Sequence, residues 1–304
     1  MTTGLDNEAG DTGRVALAAA QPLAIRRSFW SWMTRELRRA PVSALFGLVV
    51  IVFYLFVAIF APMIAPYGES QVVGDQYEVW SDKFVFGTDQ LGRDMLSRLI
   101  YGARNTIGIA LLTTGLSFTI GGLLGLLSAT LRGWIDQALG RFVDVLMAIP
   151  QLIFALVLLS ILGSSVLNLI LIIAVLDSTR VYRLTRAVAV NVAVMDFIEA
   201  ARLQGEGLGW VMTREILPNI LPPLIAEFGL RFCFVFLTIS ALSFLGLGIQ
   251  PPTADWGSMV RENATLITYG DITPLLPAAA IALLTVGVNF VVDWFLHKTS
   301  GLKE

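Results

Sequence analysis

Lysine is scarce in this 304-residue chain: Lys83, Lys298 and Lys303 are the only three. A phosphate-binding loop of the G-x-x-x-x-G-K-[ST] kind needs a lysine directly after its glycines to reach the β and γ phosphates. None of the three is so placed, and any ATP that drives this protein is expected on another polypeptide. Cysteine and histidine are scarcer still, with Cys233 and His297 alone. One cysteine excludes an intrachain disulfide and a cysteine-rich metal cluster, and one histidine excludes the usual zinc and haem sites. Cys233 lies in an apolar run and reads as an inert buried thiol. His297 ends the last apolar segment and reads as interfacial. No G-x-S-x-G, no H-E-x-x-H and no histidine placed to activate a serine is present, so the chain does not read as an enzyme.

Charge is low as well. Only 14% of residues are charged, 56% are hydrophobic and the mean hydropathy is +0.74. A soluble domain carries roughly 25% charged residues, so one soluble core of this length would lack a polar coat. The net charge of −2 is not pooled into a basic patch, and nucleic acid is not an expected partner. Membrane lipid is.

A span needs roughly 20 mainly apolar residues to cross the hydrocarbon. Six stretches meet or approach this: about Val42 to Ile64, Thr106 to Leu131, Val143 to Leu162 interrupted by Pro150, Val166 to Arg180, Leu224 to Ile249, and Leu275 to Leu296. The fourth is cut short by Asp177 and Arg180. The apolar stretch of residues 15–25 is short, has no basic leader and contains Pro22, so no cleavable signal is expected. Arg26, Arg27, Arg35, Arg38 and Arg39 precede the first span and place segment 1–41 on the cytoplasmic side. Six crossings then put Arg132, Arg141, the arginine-rich 180–214 stretch and Lys298 inside as well, with both termini cytoplasmic. The expected architecture is an all-α, multi-pass protein of about six transmembrane helices, with a transmembrane domain over 42–304.

Glu227 and Arg231 stand four apart, spaced to pair on one helix face. Asp177, Glu227 and Asp293 are the carboxylates nearest hydrocarbon, and their places near span ends read as capping rather than as a proton relay.

Two stretches carry more. Between the fourth and fifth spans runs Glu199-Ala200-Ala201-Arg202-Leu203-Gln204-Gly205, then Ile216-Leu217-Pro218-Asn219. Phe197 to Gln204 reads as a short helix, glycines 205, 207 and 209 as a turn, and Trp210 to Leu217 as a second short helix. Pro218, Pro222 and Pro223 punctuate the start of the next span. Earlier, Phe86 to Arg104 contains Gly87-Thr88-Asp89, Gly92-Arg93-Asp94, Ser97-Arg98 and Tyr101-Gly102-Ala103-Arg104. Leu91, Met95, Leu99 and Gly102 share a helical face, which suggests an amphipathic helix lying on the outer interface.

The first stretch resembles the Glu-Ala-Ala-x-x-x-Gly signature, with its later Leu-Pro, of importer permeases in ATP-binding-cassette (ABC) uptake systems. The match falls on Glu199, Ala200, Ala201, Gly205, Leu217 and Pro218, while Glu215 stands where an isoleucine is frequent. The second closely resembles a long segment of the C-type permease in the dipeptide, oligopeptide and nickel group. Ser243 to Gly248 with Pro251-Pro252 and Asp255-Trp256-Gly257, and Leu55 to Tyr67, resemble that group too. The likeness covers about residues 35–290. It implies a type I ABC importer permease in the bacterial inner membrane, with a cytoplasmic coupling helix in the loop of about 191–223. It also implies a B-type permease partner, two ABC ATPase subunits carrying ATP and magnesium, and an extracytoplasmic substrate-binding protein. This chain would hold no cofactor and would form half of the translocation pathway, most commonly for di- or oligopeptides. Nickel, opines, glutathione and oligosaccharides remain alternatives. From the residues alone, an ion-coupled secondary transporter is the rival. It calls for inverted repeats and midplane carboxylates.

Overall fold

A computed structural model of the chain describes residues 40–299. The expected N-terminal segment 1–41 falls almost wholly outside the described residues, as does Lys303. The fold is helical, with isolated bridges instead of strands among the described residues. Helix α1 spans Val42–Ile64 and matches the expected first span at both ends. Pro41 fixes its start, and Pro66 lies just past its end. Helix α2 runs Met95–Leu131, α3 Gly133–Met147, α4 Gln151–Leu162 and α5 Val166–Val192. A short helix α6, Asp196–Leu203, precedes the long α7, Leu208–Phe244. Then come α8, Trp256–Asn263, a 3₁₀ turn at Ala264–Tyr269, and α9, Leu275–Thr299.

By length and hydropathy α1, α2, α7 and α9 can each cross a bilayer, and α3 with α4 makes a fifth crossing if the bent pair is counted as one. The remaining expected span, the fourth, is α5, which has 27 residues. Asp177, Arg180, Arg183 and Arg186 keep it from being an apolar span, and the fold shields one side of it against α2. Gly121 and Gly125 make that approach close. A side chain at 121 would collide with the Ser178 carbonyl and Val181, and one at 125 with Thr185 and the Tyr182 carbonyl on α5. In hydrocarbon, small residues at such a crossing replace the hydrophobic effect as the source of contact. Gly47 and Gly287 do the same between α1 and α9.

Three expectations are corrected. Phe86 to Asp94 is a loop and not an interfacial helix, and Met95 onward is already the second span. Asp94 caps α2, its carboxylate accepting from the Ser97 N–H at 2.8 Å and from the Ser97 hydroxyl at 2.6 Å. This is the usual way to satisfy an orphan N–H at a helix start. Secondly, Trp210 to Leu217 is not a separate helix, and the prolines do not stop it. Val211–Ile216 is a π turn, continuous with α7 through Pro218, Pro222 and Pro223. Proline crowds the carbonyl four residues back, and a wider turn immediately upstream relieves that clash at Pro218. Thirdly, α5 continues past Arg180 to Val192, because its charged half finds partners on α3. Pro150 does break the third span as expected, turning α3 by 85° against α4.

The largest core cluster joins α1, α2, α4, α5, α7, α8 and α9 around Phe236 and Trp256. A second, at the opposite end, joins the ends of α2 and α5 to α6 and the start of α7 through Leu126, Val192, Ile198, Val211 and Ile216.

Candidate functional site

The end of the bundle that carries α6 is built for rigidity. Asp196 and Glu199 stand in the first turn of α6 and Arg202 in the last, each favourable to the helix dipole. Ile198 and Ala201, one turn apart, face inward and are buried, Ile198 within the second cluster. At the far end, the Glu206 N–H donates to the Ala201 carbonyl at 3.1 Å and the Gly205 N–H to the Arg202 carbonyl at 3.0 Å. That nested pair is a Schellman cap, whose reversing residue must be left-handed. Gly205 has φ +88°, and open space surrounds it.

The six residues singled out from sequence therefore divide. Glu199, Ala200, Gly205 and Pro218 are exposed, Leu217 is half-buried against the second cluster, and Ala201 points into the protein. Leu217 and Pro218 sit on α7 beyond the π turn against which α6 packs. Apolar side chains are also open on this end: Met195, Leu203, Leu208 and Trp210, with Leu203 83% exposed. Gly205 offers a clean test, because its constraint is purely backbone. Gly205→Asn should keep the cap, since asparagine tolerates the left-handed region, whereas Gly205→Val should weaken this helix end by about 1–2 kcal/mol. Amide exchange at Gln204–Glu206 in the two variants measures the difference.

The opposite end carries a cap made of residues 65–94 and the α7–α9 connection. Asp89 is wholly buried. Its Oδ1 accepts from the Leu91 and Arg93 N–H groups at 2.9 and 3.0 Å, and its Oδ2 from Arg93 Nε at 2.7 Å. Arg93 and Arg98 both reach Glu262 Oε2 as well, at 3.3 and 3.2 Å, closing a four-charge ring between the cap loop, α2 and α8. Asp255 caps α8 through the Ser258 N–H at 2.8 Å and accepts the Thr106 hydroxyl at 2.9 Å. Burial pushes its carboxyl above the usual carboxylate range, and those two donors oppose the rise. Trp256, nearly fully buried, donates its indole N–H to the Leu99 carbonyl at 2.9 Å, beside Gly102. The motif of Gly87 to Arg104 thus codes for a cap loop and the start of α2, in which Asp89, Arg93 and Arg98 turn inward and pair with one another and with Glu262, while Arg104 is exposed.

Between the two ends lies a third charged group. The Glu227–Arg231 pair expected from spacing is formed at 2.7 Å. The sequence could not show that Arg231 also approaches Asp177 of α5 at 3.7 Å, or that Asp177 accepts the Ser117 hydroxyl at 2.9 Å. Lower on α5, Arg183 and Arg186 pair with Asp144 and Asp136 of α3. No group of three or more histidine, cysteine, aspartate or glutamate side chains is set to hold a metal ion among the described residues. Cys233 is buried as expected.

Comparison with known proteins bears on this arrangement directly. Residues 121–298 match the family model described as binding-protein-dependent transport system inner membrane component. Residues 28–78 match the N-terminal TM domain of oligopeptide transport permease C. Curated relatives include the di/tripeptide transport system permease protein of Pseudomonas aeruginosa, 37% identical over 83% of this chain and 85% of the relative. The dipeptide transport system permease protein of Escherichia coli K12 is 35% identical over 93% and 95%. That of Alkalihalophilus pseudofirmus is 33% identical over 87% of each. With that family match across α2 to α9 and such relatives along most of its length, the chain belongs to the family of inner-membrane components of binding-protein-dependent transport systems.

Proposed function

We propose that this chain is one permease half of an ATP-driven uptake system for dipeptides and other short peptides. Its cargo is the one named in its relatives. Its partners are a second, B-type permease, two ABC ATPase subunits that hold ATP and magnesium, and an extracytoplasmic binding protein. The observation that carries the reading is α6. It is a short capped helix locked by Ile198 onto the ends of α2, α5 and α7, with Ala201 also buried and Glu199, Ala200 and a set of apolar side chains left open. A partner that pushes on such a lever moves three long helices together. The α6 end faces the cytoplasm in this reading, because arginines 132, 141, 183, 186, 202 and 214 gather toward it.

The two states of the pathway differ in how α6 is held, since a partner shifts an equilibrium only by its differential affinity for the states. Nothing in the family match or the relatives favours the ion-coupled secondary transporter. The test is purification of the chain from native membranes in mild detergent, followed by identification of what accompanies it and peptide uptake by the reconstituted assembly. A second permease and P-loop ATPases, with uptake that requires ATP, are expected. A chain that purifies alone and transports without ATP would sink the proposal.

A further inference from the structure

At mid-depth the fold holds charges that its own packing leaves incompletely satisfied. Ser117 binds Asp177, and Ser117 stands about 21 Å, at ~1.5 Å per residue, from the α6-side end of α2 at Leu131. In a hydrocarbon core of about 30 Å that position is well inside the bilayer. Asp177 is 1% exposed and Arg231 8%. Arg231 Nη1 and Asp177 Oδ1 are 3.7 Å apart, beyond hydrogen-bond range, and neither has another hydrogen-bond partner among the described residues. The guanidinium lies 4.6 Å over the ring of Phe234, which is itself open to the outside of this chain, and Glu227 is only partly covered.

Arg180 completes the group. It follows Asp177 on α5, lies within electrostatic reach of it, and is exposed. It has no ion pair or hydrogen bond among the described residues. It also lines a cavity of about 90 Å³ with Met147, Pro150 and Gln151, where α3 and α4 break. An arginine facing lipid at this depth costs at least ~2.5 kcal/mol, so such groups face a protein interior or a water-filled cavity.

The geometry points to a zwitterion contact site on the translocation pathway, in which Arg180 and Arg231 meet the α-carboxylate of a passing short peptide and Glu227 meets its α-ammonium. This rests on the peptide-permease reading and adds to it the residues that touch cargo. Two cations and two carboxylates within one patch leave it near neutral overall, so a neutral zwitterion can replace internal pairings without leaving a buried charge uncompensated.

The experiment uses the complete transporter in vesicles, with a radiolabelled zwitterionic dipeptide and a membrane-impermeant, charged thiol reagent. Arg180→Gln should lower dipeptide moved per ATP hydrolysed at least tenfold, and Arg180→Lys should restore most of it. A general folding defect would lower transport and hydrolysis together, and lysine would not rescue it. In Arg180→Cys the new thiol should be modified during turnover and protected by saturating dipeptide. Buried Cys233, the chain's one native cysteine, gives a low background. Wild-type transport stoichiometry in Arg180→Gln, or a thiol at 180 that stays unmodified, overturns the proposal. Failure of the peptide reading itself is distinct: the unmodified transporter then moves no dipeptide.

Discussion

Asp89→Ala should lower the temperature at which Cys233 becomes reactive to a thiol-specific dye by about 10 °C. The basis is the four-charge ring of the cap. Removing Asp89 leaves Arg93 and Arg98 sharing Glu262 alone, and it strips the acceptor from the Leu91 and Arg93 N–H groups. Breaking a buried pair from one side costs about 3–5 kcal/mol, because the other charge stays buried and uncompensated. Against total stabilities of roughly 5–15 kcal/mol, and a few degrees of melting temperature per kcal/mol, that is a large loss. The one buried cysteine is a convenient reporter, since it reacts only when the bundle opens. Asp89→Asn should fall between, keeping both backbone acceptances while losing the charge. An unchanged transition in Asp89→Ala would mean that the ring is not closed in the folded protein.

Ala201→Asp should reduce ATP-driven uptake at least tenfold while the chain still reaches the membrane, as uptake set against immunoblotted abundance would show. Sequence places Ala201 among residues that dock a partner, but the structure turns it inward, beside Ile198. A carboxylate there is an unpaired charge in an apolar seat, a cost of several kcal/mol. It is relieved most cheaply by peeling α6 off its support, so the lever should remain present but no longer drive α2, α5 and α7. Ala200→Asp puts the same charge on the open side of the helix, where the seat is untouched and only a docking contact can be harmed. Normal uptake in Ala201→Asp would show that α6 need not be seated for coupling.

Much of this was legible along the chain. Helix α1 was clear because an uninterrupted apolar run is closed by Pro41 on one side and Pro66 on the other. The Pro150 break and the Glu227–Arg231 pair followed from local spacing alone. The cap loop reads as helix along the chain because Leu91, Met95, Leu99 and Gly102 keep helical spacing across a boundary that periodicity does not mark. The boundary has its own signal, an aspartate at 94 with a serine three residues on, which is a start pattern. The prolines misled in the other direction: a breaker is a statement about α geometry, and a π turn changes the geometry. Asp177 meeting Arg231, and Glu262 meeting Arg93 and Arg98, are contacts between distant parts of the chain. No local pattern encodes them. For the same reason the inward aspect of Ala201 was hidden, since eight residues of α6 show an amphipathic face but not what covers it.

One consequence follows from the length of α2. At ~1.5 Å per residue its 37 residues make a rod of about 55 Å. It continues without a joint from the seat of α6 into the charged ring of the cap. Because Gly121 and Gly125 clamp it to α5, and α5 is separated from α6 only by Ala193–Met195, the rod has little freedom of its own. A tilt of ~5° about the α6 end carries the far tip by about 5 Å, close to one helical turn. The molecule is geared: in the proposed uptake system, a displacement too small to matter where α6 meets its partner would become, at the cap, one large enough to open or close a passage the width of a peptide.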